Sequence, residues 1–139
     1  MNQQLFNEFI DSGDTLRIYR ADALIFHSQK DRLSPLMEFL SNNQDGKRGL
    51  VVFDRIFGNA AALLAILAGC DEAYGPLGSQ VAINTFIKYS IKYHFRDIVP
   101  YILDDTTQKM CPVEAKSINM EPLHFYELLQ TENQMNDLN

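Results

Sequence analysis

Residues 49–69, Gly-Leu-Val-Val-Phe-Asp-Arg-Ile-Phe-Gly-Asn-Ala-Ala-Ala-Leu-Leu-Ala-Ile-Leu-Ala-Gly, restrict the fold more than any other part of the chain. Residues 50–53 are a continuous apolar run, the pattern of a strand covered on both faces. Residues 60–68 are apolar at every position, so a helix there has no wet side. A strand and a helix that are both fully enclosed call for a sheet with helices packed on it. Polar residues occur only at the junction, where Asp54, Arg55 and Asn59 sit beside Gly58. The C-terminal end of a strand feeding a helix start is where open α/β sheets place ligands.

The rest of the composition limits the alternatives. A length of 139 residues fits one domain, spanning 1–139. Hydrophobic residues at 46% and charged ones at 22% are ordinary for a soluble globular chain. The net charge of −6 argues against nucleic acid and anionic membranes as partners. The longest apolar run, residues 60–68, is far shorter than the roughly 20 residues that span a bilayer. The N-terminus carries no basic region followed by an apolar run, so no signal peptide is expected. Two cysteines, Cys70 and Cys111, without a CxxC spacing, read as free thiols in a cytoplasmic protein.

Read in order, residues 2–11 form an amphipathic helix with Leu5, Phe6, Phe9 and Ile10 on one side. Residues 15–20 and 23–28 alternate as strands around a tight turn at Ala21-Asp22, an antiparallel hairpin. Ser34-Pro35 opens a second helix, with Ser34 as the expected cap. A polar loop, 42–49, leads into the central strand. Residues 70–75 read as a short strand. Ser79 caps a helix to about residue 89, with Ile83, Phe86 and Ile87 inward. Residues 91–95 alternate as another strand. Two successive strand–helix–strand units imply parallel neighbours. Pro100 keeps the apolar run 98–103 out of a central strand. Cys111-Pro112 opens a short helix, and Pro122 opens the last one, with Leu123, Tyr126 and Leu129 inward and Phe125 a further candidate. Residues 132–139 are expected to fray.

This order of elements resembles the cytidine-deaminase-like fold, an α/β three-layer sandwich with a mixed sheet of about five strands and helices on both faces. The chain is also similar to a prokaryotic family catalogued only as a domain of unknown function. The matching segments are residues 14–19, 54–62, 99–102 and 111–114, in the family's order. A lysine is common in that family where Asn59 stands here. The resemblance implies a fold and a site location but no reaction. The deaminase zinc site needs His or Cys plus Glu at one helix start and Pro-Cys-x-x-Cys at the next. The corresponding segments, Leu33-Ser34-Pro35 and Phe57-Gly58-Asn59-Ala60, hold no Cys, His or Glu. No metal and no cofactor are expected.

Several side chains are candidates for a site. Asp54 and Arg55 flank a ligand, or else form a local ion pair and a helix cap. Gly58 lets the backbone approach a ligand closely, and the helix start at Asn59 offers N–H groups to an anion. Ser79 is a cap before it is a nucleophile. Cys111 precedes a helix start, which lowers a thiol pKa when the thiol is exposed, and Glu114 lies one turn on. The segment 111–114 is expected to fold back against Asp54 and Arg55 as one wall of a cleft, near the helix start after Gly58. His27, His94 and His124 share no metal spacing and read as structural or surface residues. Three functions from different classes follow. The first is a zinc-free binder of a small, anionic or nucleotide-like ligand. The second is a zinc-independent enzyme using Cys111 or Asp54. The third is a protein-interaction module, with a second copy of the chain as a candidate partner.

Overall fold

In the computed structural model the central strand and its neighbours carry the layout. The structure describes residues 2–43 and 45–138, with side chains through residue 133. The elements are α1 Gln3–Asp11, β1 Leu16–Arg20, β2 Ala23–Ser28, α2 Ser34–Asn42, β3 Leu50–Asp54 and β4 Ile56–Phe57. There follow α3 Asn59–Ala68, β5 Cys70–Ser79, α4 Gln80–Lys88, β6 Lys92–Val99, α5 Pro112–Ser117 and α6 Pro122–Leu138. Residue 44 of the expected 42–49 loop and residue 139 of the expected tail lie outside the described residues.

The fold is α/β, with helices on both faces of a six-stranded mixed sheet. β1 pairs antiparallel with β2 and with β3. β3, β4 and β6 all run parallel to β5. Leu77 of β5 pairs with Ile56 on one side and with Asp97 on the other, so β3 and β4 share one flank of β5 and β6 takes the opposite one. The expectation of about five strands falls short by one because a break at Arg55 divides that flank into β3 and β4.

β5 runs on to Ser79, 10 residues in all, beyond the expected end at residue 75. Gly75-Pro76-Leu77-Gly78 has the composition of a turn, yet it continues the strand. The register explains how a proline is tolerated. Pro76 lies opposite Arg55, between the Phe53↔Tyr74 and Ile56↔Leu77 pairs, where that ladder is already interrupted. A proline without an N–H costs least at such a gap. Gly75 is required there too, since a Cβ would come within 2.6 Å of the Asp54 carbonyl oxygen.

The two faces divide the core. On one, Phe6 and Phe9 of α1 cover Tyr19, Phe53 and Tyr74. On the other, α2, α3, α4 and α6 enclose Leu16, Ile18, Leu50, Val52 and Ala73. α3 touches α2, α4, α5 and α6 as well as β5, which is why its sequence has no polar side. No helix among the described residues is long and apolar enough to cross a membrane.

Three local expectations are corrected. Leu33, not Ser34, occupies the cap position of α2, and it offers no side-chain hydrogen bond. Ile87 is 61% exposed and Leu123 is 52% exposed, so neither faces the core. The rest of the expected stripes does face inward, Ile83 and Phe86 with Ala82 in α4, and Phe125 and Tyr126 in α6.

Gly69 ends α3 in the left-handed region at φ 113°, with its N–H donating to the carbonyls of the last turn. A Cβ there would overlap the Lys47 carbonyl oxygen. Gly69→Ala is therefore expected to lose about 2 kcal/mol of stability in urea unfolding, from left-handed strain plus displacement of the 45–49 segment. An unchanged midpoint would contradict this geometry.

Candidate functional site

Asp54 ends β3 with its side chain buried. It alternates with Phe53, which faces α1, so it points toward the α2–α3 layer. Its Oδ1 accepts the Ile56 N–H at 3.3 Å, and no cation pairs with it among the described residues. Burial pushes its carboxyl up to about 7, only partly offset by the Ile56 and Arg55 backbone N–H groups.

Arg55 turns the other way. Its guanidinium donates to the carbonyl oxygens of Phe9 (2.8 Å), Ile10 (3.3 Å), Ser12 (2.6 Å) and Asp14 (2.9 Å). It also lies 4.5 Å over the Phe9 ring. This one side chain caps the C-terminal end of α1, where carbonyls lack helical partners and a cation is favoured. It forms no ion pair with Asp54.

At the start of α3 the chain supplies its own anion. Glu114, buried in the first turn of α5, accepts the Asn59 N–H on Oε1 and the Ile102 N–H, at 2.7 Å, on Oε2. The Asn59 side chain donates to the Ser117 carbonyl and hydroxyl oxygens, both at 3.0 Å, and accepts from the Thr85 hydroxyl. The Ser117 hydroxyl in turn donates to the Glu114 carbonyl at 2.6 Å. A buried polar network of this kind is stable only when every member is satisfied. Gly58 makes room for it, since a Cβ would sit 2.8 Å from Ile102 Cγ1 and 3.1 Å from Glu114 Oε1.

The other candidates lie apart from this network or serve the backbone. The Ser79 hydroxyl accepts the Ala82 N–H at 3.0 Å and caps α4. Both cysteines are free. The buried Cys70 thiol is pushed up to about 12 by burial, which makes it inert at neutral pH. Cys111 is half-buried, and its N–H donates to the Ile102 carbonyl at 2.8 Å.

A second polar group lies on the α1 face. Glu72, Tyr74 and His94 occupy neighbouring positions on β5 and β6, with Tyr74 paired in register to His94. Glu72 Oε1 accepts the Tyr74 hydroxyl at 2.5 Å and lies 3.2 Å from His94 Nε2. The Tyr74 hydroxyl oxygen also accepts the Asn2 N–H at 2.9 Å. Burial, with Glu72 beside it, pushes the Tyr74 hydroxyl up to about 12 despite the Asn2 bond. The rings of Phe53, Tyr74 and His94 stack in sequence across three strands, with centroid spacings of 4.9 and 4.6 Å. Two open hollows flank the group. One, of about 400 Å³, is lined by Val51, Asp71, Glu72, Ser90 and Lys92. The other, of about 470 Å³, is lined by Gln3, Phe6, His94, Arg96 and Ile98 among others.

The family model "Domain of unknown function (DUF1893)" matches residues 5–132. The chain belongs to the DUF1893 family. A crystal structure of a DUF1893 family protein from Thermotoga maritima superposes with a TM-score of 0.81 at 23% identity, over 94% of this chain and 88% of that one. At that identity the likeness concerns the fold. No curated protein matches.

In this DUF1893 chain the 111–114 segment returns to Gly58 and Asn59, where Glu114 fills the helix start, and not to Arg55, whose guanidinium is taken by the α1 carbonyls. Arg55 and Ser79 serve helix ends elsewhere. Among the described residues no three His, Cys, Asp or Glu side chains gather closely enough to hold a metal ion. Glu72, Tyr74 and His94 escape sequence reading because their juxtaposition depends on the β5–β6 register. The available signal was the alternation of Glu72 with Tyr74 and of Lys92 with His94.

Proposed function

We propose that this chain is a binder of a small polar ligand, held on the α1 face of a deaminase-like scaffold, and that it does not perform zinc chemistry. The observation that carries the reading is the Glu72–Tyr74–His94 group between two open hollows. Glu72 Oε2 has no hydrogen bond among the described residues, so it remains an acceptor for a ligand. Both hollows are open to solvent, and the one with Phe6, His94 and Arg96 in its lining combines aromatic walls with convergent polar groups, as small-molecule sites do.

The α3 start is the less favoured location. Its N–H donor and its space are taken by Glu114, and a second buried carboxyl, Asp54, lies one short strand away. The scaffold likeness rests on strand order and direction, an antiparallel pair followed by parallel neighbours. Binding is favoured over catalysis by the state of the group itself. The Tyr74 hydroxyl is buried, held protonated by its surroundings and already hydrogen-bonded twice, which suits a rigid wall better than an acid or base.

Thermal-shift screening against a metabolite library tests this. At 100 times its dissociation constant, a ligand of the folded state adds about 2.7 kcal/mol. At least one compound is expected to raise the melting temperature, with the shift reduced in His94→Ala and Glu72→Gln. Hits that are indifferent to both substitutions but lost in Asn59→Ala would overturn the location.

A further inference from the structure

The α1 face holds a charge pattern at odds with the rest of the chain. Lys92, His94 and Arg96 alternate along β6, so their side chains share one face of that strand. The register with β5 puts that face beside Glu72 and Tyr74, the side covered by α1. The chain as a whole carries a net charge of −6. Neither Lys92 nor Arg96 forms an ion pair or side-chain hydrogen bond among the described residues. Of the two acids bordering the stripe, Asp71 is held by Arg48 at 2.6 Å and Glu72 by Tyr74 and His94. The stripe therefore has uncommitted positive charge.

The same stretch ends an aromatic column. His94 stacks at 4.6 Å on Tyr74, and its side chain is 37% exposed, so its outer surface is open. Phe6 stands across the hollow, with the Arg96 guanidinium 5.4 Å from its ring centroid. Ile98, 54% exposed, extends the apolar floor. A flat ring placed on His94 continues a stack that is already formed. An acidic group on that ring reaches Arg96 or Lys92, each two residues from His94 on the same face.

We propose that the hollow lined by Phe6, His94, Arg96 and Ile98 binds a planar heteroaromatic ring carrying a phosphate, the chemistry of a nucleoside monophosphate. This deepens the binding reading above and rests on it. Ring stacking tolerates different bases, since every base has a π-face. The guanidinium supplies paired donors for phosphate oxygens. Specificity then comes from the phosphate and from planarity.

The probe is adenosine 5′-monophosphate, compared by calorimetry with adenosine and with inorganic phosphate. Adenosine 5′-monophosphate is expected to bind at least about tenfold more tightly than either fragment. Arg96→Gln is expected to weaken the monophosphate about tenfold and leave adenosine unchanged, with the melting temperature of the free protein unaltered. His94→Ala is expected to weaken monophosphate and adenosine alike. Equal affinity for adenosine and its monophosphate would overturn the phosphate assignment. Equal affinity for inorganic phosphate would overturn the stacking platform. Absence of monophosphate binding, beside a library compound whose shift depends on His94 and Glu72, would overturn this ligand class while leaving the binding reading intact. If no compound depends on those residues, both fail.

Discussion

Glu114→Ala is expected to lower the unfolding free energy by about 3 to 4 kcal/mol. Two backbone N–H groups lose their acceptor, that of Asn59 in a buried place and that of Ile102 in a partly buried one. Each unsatisfied buried donor costs about 1–3 kcal/mol, and the cavity left by the side chain adds to that. The loss is also expected to be uneven. Glu114 is the link that ties Ile102 and the exposed 103–109 loop to α3, so the C-terminal third loosens first. Limited proteolysis should cut within 103–109 in Glu114→Ala at conditions where the parent chain is resistant. Glu114→Gln, which keeps one acceptor oxygen, should fall between the two. Equal stability of all three would mean the helix start is not held by this carboxyl.

The second large effect is a pH dependence set by Asp54. Its carboxyl is raised to about 7 in the folded chain, against an ordinary 3.8 when unfolded. Between those values the folded state binds more protons than the unfolded state. Stability therefore falls as pH rises from about 4 to about 7 and levels off above, by roughly 1.4 kcal/mol per pH unit at most. The whole difference is on the order of 4 kcal/mol if the unfolded chain titrates normally. Asp54→Asn keeps an acceptor for the Ile56 N–H and removes the charge, so its profile should lack this decline. Urea unfolding of both chains across pH 5 to 8 should show the variant gaining on the parent up to about pH 7 and keeping its lead above that. Parallel profiles would mean that Asp54 is solvated or finds a cation.

Much of the fold was legible in local pattern. The enclosed strand 50–53 and the all-apolar helix 60–68 forced layers on both sides, and α3 does lie within a ring of helices. The hairpin and the two parallel units followed from alternation and spacing. Boundaries failed where local chemistry pointed one way and tertiary pairing the other. Gly75-Pro76-Leu77-Gly78 has turn composition, but it is strand because the Arg55 break removes the demand for a Pro76 N–H. Ile87 and Leu123 are apolar and yet exposed, since one helical stripe was already filled by their neighbours. The polar junction at Asp54, Arg55 and Asn59 was visible, but not the direction of each side chain. A single-residue break sends Arg55 to the α1 carbonyls while Asp54 stays on the opposite side. The Glu72–Tyr74–His94 group was only half legible: alternation puts Glu72 with Tyr74 and Lys92 with His94, but the register of β5 against β6 that joins them is not set by local pattern.

The most direct measurement is a map of which backbone amides respond when ligand is added to the isotopically labelled protein. The compound giving the largest thermal shift, or adenosine 5′-monophosphate when the library gives none, serves as the probe. The expected response is confined to Gln3, Phe6, Glu72 and residues 92–96 and 98, which line the two hollows, and to Tyr74, which joins Glu72 and His94. Asp54, Gly58, Asn59 and Glu114 are expected to stay still, because their donors and acceptors are engaged within the chain. A response centred on those four residues, or none on β6, would contradict the α1-face site.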